Sequence, residues 1–215
     1  NNVDFIDNRD GNTMVAALQK LLGANNNDIS IVTEDCAQID EARISTAYFS
    51  PSGFGSIASA IKNIPSIRLL LGTDPIADSE MWNKQVGEKE TQFIEKKLHE
   101  CLRNQESSLR LERDNIPFER AATRSMRQLV EALKAGNIEV RRYEESFLHA
   151  KAYILSSSLS DQDFKSDAII VGSSNLTKSG LSSNLELNLS HYNSSTIKKA
   201  KEWFDSLWEE ANPFD

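Results

Sequence analysis

The run Ala168-Ile169-Ile170-Val171, closed by Gly172, constrains the fold more than any other feature of the chain. Three of these residues are β-branched, which favours a pleated strand. Side chains of a strand alternate between its two faces. An unbroken apolar run therefore needs both faces covered, as at the centre of a sheet lying between other layers.

The segments around it fit that requirement. Val15, Leu18, Leu21 and Leu22 form one stripe and predict a helix over 13–22, stopped by Gly23 and the polar run 25–28. Residues 42–49 read as a strand, 50–53 as a turn, 57–61 as a short helix and 66–71 as a buried strand ended by Gly72. Residues from about 74 to 120 are polar and helical in pattern and read as an insertion. Met126, Leu129, Val130 and Leu133 mark a helix over 121–135, ended by Gly136-Asn137. Strands are expected over 138–143, 148–155, 168–172 and 184–191, followed by a helix with Ile197, Ala200, Trp203, Phe204, Leu207 and Trp208 on one face. The expectation is one α/β domain over 1–215, an α/β/α layered sandwich with a central mixed β-sheet. With no initiator Met, the chain reads as a fragment of a longer one.

The net charge of −8 excludes a strongly basic coat, so nucleic-acid contact must come from a local patch. Arg141-Arg142 is the basic spot nearest the strand at 148–155. No apolar run approaches the ~20 residues needed to cross a bilayer, and the start lacks a signal-peptide pattern. Cys36 and Cys101 form neither a disulfide framework nor a metal pair, so the expected compartment is a reducing cytoplasm.

Chemistry concentrates in three strands. In Leu148–Leu155 alternation puts His149, Lys151 and Tyr153 on one face and Leu148, Ala150, Ala152 and Ile154 on the other. A His beside a Lys pairs a nucleophile or proton donor with a fixed positive charge. The next strand ends in Gly172-Ser173-Ser174-Asn175, whose Ser173 and Asn175 can donate to an anion's oxygens. In Asn184–Ser190, Asn184, Glu186 and Asn188 face away from Leu185, Leu187 and Leu189. Glu186 is the candidate carboxylate for orienting the imidazole. Together these residues could hold a phosphate diester and stabilise charge on its nonbridging oxygens.

His149-Ala150-Lys151, Gly172-Ser173-Ser174-Asn175 and Glu186, eleven residues after Asn175, resemble the signature of the phospholipase D superfamily, in particular its bacterial nuclease-like branch. Phe5-Ile6-Asp7-Asn8-Arg9 and the segment 47–72 resemble phospholipase D-like domains at the N-termini of bacterial Swi/Snf-type helicases. One departure stands out. The family's Asp, five residues after the Lys, is Ser156 here, and a loop lengthens the spacing to Gly172; Asp161, Asp163 and Asp167 are candidates to substitute for it.

The resemblance implies a metal-independent phosphodiesterase without cofactor. A His forms a phosphohistidine and a second His protonates the leaving oxygen. His149, Lys151, Asn175 and Glu186 are then the catalytic candidates, and Lys151, Ser173 and Asn175 the phosphate-binding ones. The chain holds one such motif, so the second must come from another copy or from the rest of a longer chain. The expected partner is nucleic acid, above all DNA, and no membrane. The alternative is a DNA-binding module that grips without cutting and positions a linked motor.

Overall fold

Ala168–Gly172 is a strand with a neighbour on each side, as its unbroken apolar run requires. In chain order the elements are β1 (Phe5–Ile6), α1 (Met14–Leu21), β2 (Glu41–Thr46), α2 (Pro51–Ile61), β3 (Ser66–Leu71), α3 (Arg120–Ala135), β4 (Ile138–Arg142), β5 (Ala152–Ser156), β6 (Ala168–Gly172), α4 (Lys178–Ser182), β7 (Asn188–His191), α5 (Ser194–Glu210) and β8 (Asn212–Pro213). The structure is a computed structural model and describes residues 3–22, 39–72, 103, 120–157 and 167–214. The expected insertion lies outside the described residues except for Arg103 and Arg120, and so do Cys36, Cys101, Asp161 and Asp163.

The strands form one mixed sheet in the order β1-β7-β6-β5-β2-β3-β4-β8. β2, β3 and β4 run parallel, with Ile44 opposite Leu69 and Leu69 opposite Val140. The other pairings are antiparallel. Apolar residues cover both faces of the sheet. On one face Met14 and Leu18 of α1, Phe54, Ile57 and Ile61 of α2, and Leu129 of α3 pack with Ile44, Leu69, Tyr153, Leu155 and Ile170. On the other, Ile197, Phe204 and Trp208 of α5 pack with Leu70, Leu148, Ile154 and Ile169. This is the expected α/β/α sandwich. An ionic clamp fastens α5 to the sheet: Asp205 accepts from Arg43 and Arg68, each at 3.0 Å.

Four local readings need correction. α2 begins at Pro51, not at Ile57. Ser50 caps it, its hydroxyl accepting from Gly53 N–H, and Pro51 occupies the first turn, so the presumed turn is a helix start. β2 stops at Thr46, and β5 and β7 begin at Ala152 and Asn188, later than expected. Two short edge strands, β1 and β8, and the one-turn helix α4 had no apolar period to reveal them. The coverage of β6 also ends early. Ala168–Ile170 are buried, but Val171 is exposed, as are its neighbour Leu189 and Leu185 and Leu187 just before β7.

Candidate active site

The antiparallel steps β2-β5-β6-β7 bring four chain segments to one end of the sheet. That end holds the residues just after β2, just before β5, just after β6 and just before β7. It therefore gathers Thr46–Tyr48, His149–Lys151, Ser173–Asn175 and Glu186, which are far apart in sequence.

His149 and Lys151 lie in the lead-in to β5 rather than within it. The alternation still extends to them: Leu148, Ala150 and Ile154 join the cluster under α5, while Tyr153 and Leu155 join the opposite one. The lead-in is held from three sides. Gly172 N–H donates to Lys151 O at 3.2 Å, which continues the pairing with β6. Ser45 Oγ donates to Ala150 O at 3.4 Å. Gly72 comes so close to the Leu148 carbonyl that a Cβ would collide with it.

The cationic pair is formed. Lys151 Nζ lies 2.7 Å from His149 Nε2 and donates to His149 O at 2.9 Å. An ammonium has donors and no acceptor. Nε2 therefore accepts, which puts the imidazole proton on Nδ1. Lys151 is only 7 % exposed, whereas His149 is open to solvent. The pair thus sets an imidazole at the surface against an ammonium held inside the protein.

Ser173 and Glu186 meet directly. The Ser173 hydroxyl donates to Glu186 Oε2 and accepts from Leu187 N–H at 3.0 Å. Glu186, expected to orient the imidazole, reaches the site through this bond to Ser173. Gly172 allows this, since a Cβ there would strike the Leu187 carbonyl. Asn188, read as a strand-face residue, is buried and pinned to Ser174 by two hydrogen bonds.

Asn175 is held from β2. Its Oδ1 accepts from Tyr48 N–H at 3.0 Å and lies 3.3 Å from Thr46 Oγ1. Its amide nitrogen has no hydrogen-bond partner among the described residues and stays available to an acceptor. Thr46, Tyr48 and Asn188 carry no motif spacing, so nothing in the sequence marks them.

Tyr153 sits beneath the site. It is buried, and its hydroxyl donates to Ser174 O at 3.0 Å, so it packs rather than stacks on a ligand. Burial pushes its phenol well above the usual tyrosine range, and the charge on Glu186 adds to the rise. The basic spot is spoken for as well. Arg141 donates to Glu139 and to Trp208 O, and Arg142 pairs with Glu144. At the far end of β5, Ser156 Oγ is buried without a hydrogen-bond partner among the described residues. A carboxylate does stand beside it: Asp167 accepts from Ser157 N–H at 3.1 Å and pairs with Lys201 at 2.7 Å.

No curated protein matches the sequence. Among solved structures, the polyphosphate kinase from Porphyromonas gingivalis is similar at 10 % identity and a TM-score of 0.52 over 99 % of this chain and 24 % of that one. The phosphatidylserine synthase of Haemophilus influenzae Rd KW20 is similar at 16 % identity and a TM-score of 0.50 over 98 % of this chain and 39 % of that one. These likenesses concern the fold. Nuc from Salmonella typhimurium, a phospholipase D family member, has 15 % identity and a TM-score of 0.46 over 92 % of this chain and 90 % of that one. The family described as "Cardiolipin synthase, PLD-like domain" matches residues 10–208, nearly the whole chain, and the protein therefore belongs to the phospholipase D-like family.

Proposed function

We propose that this domain is a metal-independent phosphodiesterase acting on DNA, with His149 as nucleophile. The observation that carries this reading is the Lys151–His149 pair, which holds an imidazole with its Nε2 lone pair facing an ammonium at 2.7 Å. A phosphate diester entering there brings its own oxygens to Lys151, which frees Nε2. Nε2 then attacks phosphorus, the bond from phosphorus to the leaving oxygen breaks, and a second imidazole protonates that oxygen. Water then attacks the phosphohistidine, the bond from phosphorus to Nε2 breaks to release His149, and the water's proton passes to the second imidazole. Splitting one displacement into two in this way is covalent catalysis. Lys151 and the free donor end of Asn175 stabilise the nonbridging oxygens, and Ser173 joins them when its hydroxyl proton turns from Glu186 to the phosphate.

The second imidazole comes from another copy of the chain or from the remainder of a longer one. A two-fold axis beside the exposed His149 is the simplest arrangement. The setting suggested by the resemblance is a DNA-processing helicase. The test is cleavage of DNA by the purified protein in excess chelator, with and without His149→Ala. Cleavage that persists in chelator and disappears in the variant supports the reading, and equal cleavage by both proteins sinks it.

One observation favours a second reading, a module that grips DNA without cutting. Ser156 stands where the resemblance expects an Asp, and its hydroxyl has no hydrogen-bond partner among the described residues. In that case DNA affinity survives His149→Ala, falls with Lys151→Ala, and neither protein cleaves.

A further inference from the structure

Asn175 is the one candidate phosphate ligand whose orientation is ambiguous by itself, because its carboxamide has a donor end and an acceptor end of nearly the same shape. The surroundings resolve it. Tyr48 N–H needs an acceptor and lies 3.0 Å from the side chain, so Oδ1 must face β2 and Nδ2 must face the other way.

Thr46 holds this arrangement in place. It is fully buried at the last position of β2. Its hydroxyl oxygen accepts from Leu176 N–H at 3.0 Å, the residue after Asn175. Its single proton lies 2.7 Å from Tyr48 O and 3.3 Å from Asn175 Oδ1, heavy atom to heavy atom. The shorter bond takes most of the proton. Thr46 therefore acts mainly on backbone: it fixes Tyr48, whose N–H receives Oδ1, and Leu176, which carries Asn175. Ser50 N–H, donating to Leu176 O at 3.0 Å, ties the same two segments together.

We infer that Thr46 is a positioning residue for the proposed phosphate site, clamping the Asn175 carboxamide so that its donor end is presented to a phosphate oxygen. This rests on the reading of Asn175 as a phosphate ligand, but the clamp itself can be tested separately. Thr46→Val keeps the shape and removes both hydrogen-bonding roles, whereas Thr46→Ser keeps the hydroxyl.

The first measurement is the pair of side-chain amide signals of Asn175 in a nitrogen–proton NMR spectrum, which needs no turnover. Thr46→Val should move or broaden them, and Thr46→Ser should leave them near the parent positions. Unchanged signals in folded Thr46→Val would overturn the inference. The second is DNA cleavage. Thr46→Val should lower kcat about tenfold or more, Thr46→Ser should restore it to within about threefold, and Thr46→Val should add little in an Asn175→Ala background. A full additional loss in that background shows that Thr46 does not act through Asn175.

Should Thr46→Val fail to fold, Asn175→Asp decides. It keeps an oxygen facing Tyr48 N–H and turns the donor end into a charged acceptor, so the melting temperature should stay within a few degrees while cleavage falls. Wholesale destabilisation would mean that the amide faces the other way. A parent that cleaves nothing defeats the catalytic reading, and the NMR comparison together with the Asn175→Asp melting temperature then decides the clamp.

Discussion

Asn188 grips Ser174 with both ends of its carboxamide: Oδ1 accepts from Ser174 N–H at 3.1 Å and Nδ2 donates to Ser174 Oγ at 2.9 Å. Asn188 is 1 % exposed and Ser174 fully buried. Ser174 lies between the two residues proposed to hold phosphate, so this pair sets the shape of the 172–175 turn. Asn188→Leu fills a similar volume but leaves a buried N–H and a buried hydroxyl unpaired. Each such orphan costs about 1–3 kcal/mol. The variant should lose at least about 2 kcal/mol in urea unfolding and much of any cleavage activity. A stability equal to that of the parent would show that the turn holds without this brace.

Ser156 makes the opposite case. Its hydroxyl is buried without a hydrogen-bond partner among the described residues, a costly state for a hydroxyl. Hairpin bracing at this end of β5 comes instead from Asp167, through Ser157 N–H and Lys201. Ser156→Ala should therefore raise stability by about 1 kcal/mol and leave DNA cleavage and DNA affinity unchanged. Thermal unfolding together with a cleavage assay checks both. A drop in activity without loss of stability would give the hydroxyl a role that its surroundings do not suggest.

The sequence made the frame of this site legible because the frame follows a period. The apolar run at 168–171 and the alternation in 148–155 dictate a covered sheet and a polar face, and the structure has both. Three things had no period to betray them. The turn expected at Ser50-Pro51-Ser52-Gly53 is a helix start, because packing of Phe54 and Ile57 on the sheet carries the helix back to Pro51. Glu186 was expected to reach the imidazole, but the strand begins at Asn188, and from the lead-in the carboxylate meets Ser173. Thr46 and Asn188 act by hydrogen bonds between segments more than a dozen residues apart. No spacing within one segment encodes those bonds.

Tyr153 predicts how the fold responds to alkali. Its phenol is held protonated by burial, with the charge on Glu186 adding to the effect, so its value in the folded chain lies above the ordinary 10.0. An unfolded chain releases this proton near pH 10 while the folded chain keeps it. The folded state then binds more protons, and stability must fall as pH rises. The contribution is fully present below pH 10 and declines above it by about 1.4 kcal/mol per pH unit. Tyr153→Phe should lose about 1 kcal/mol at neutral pH, because Ser174 O is left without its donor. It should also show a shallower decline than the parent between pH 10 and 11. Urea unfolding of both proteins across that range supplies the comparison, and parallel curves would contradict the assignment.

Lys151 separates a functional role from a structural one most cleanly. Its ammonium is nearly buried and its hydrogen bonds include two to one residue, His149 Nε2 and His149 O. Removing water from a charge is expensive, and replacing buried charge with an apolar side chain of similar volume is often neutral or stabilising. Lys151→Met keeps most of the stem and removes the charge. If the charge is there to hold the imidazole and the phosphate, the variant should be at least as stable as the parent, yet lose about a hundredfold to a thousandfold in kcat, the scale of removing one donor to a developing oxyanion. Lys151→Arg should not restore the rate, because a planar guanidinium cannot place one nitrogen against both acceptors of His149. Thermal unfolding and steady-state cleavage measured on the same preparations give the answer. A destabilised Lys151→Met that keeps its rate would make this lysine a structural residue and would remove the central support for catalysis at His149.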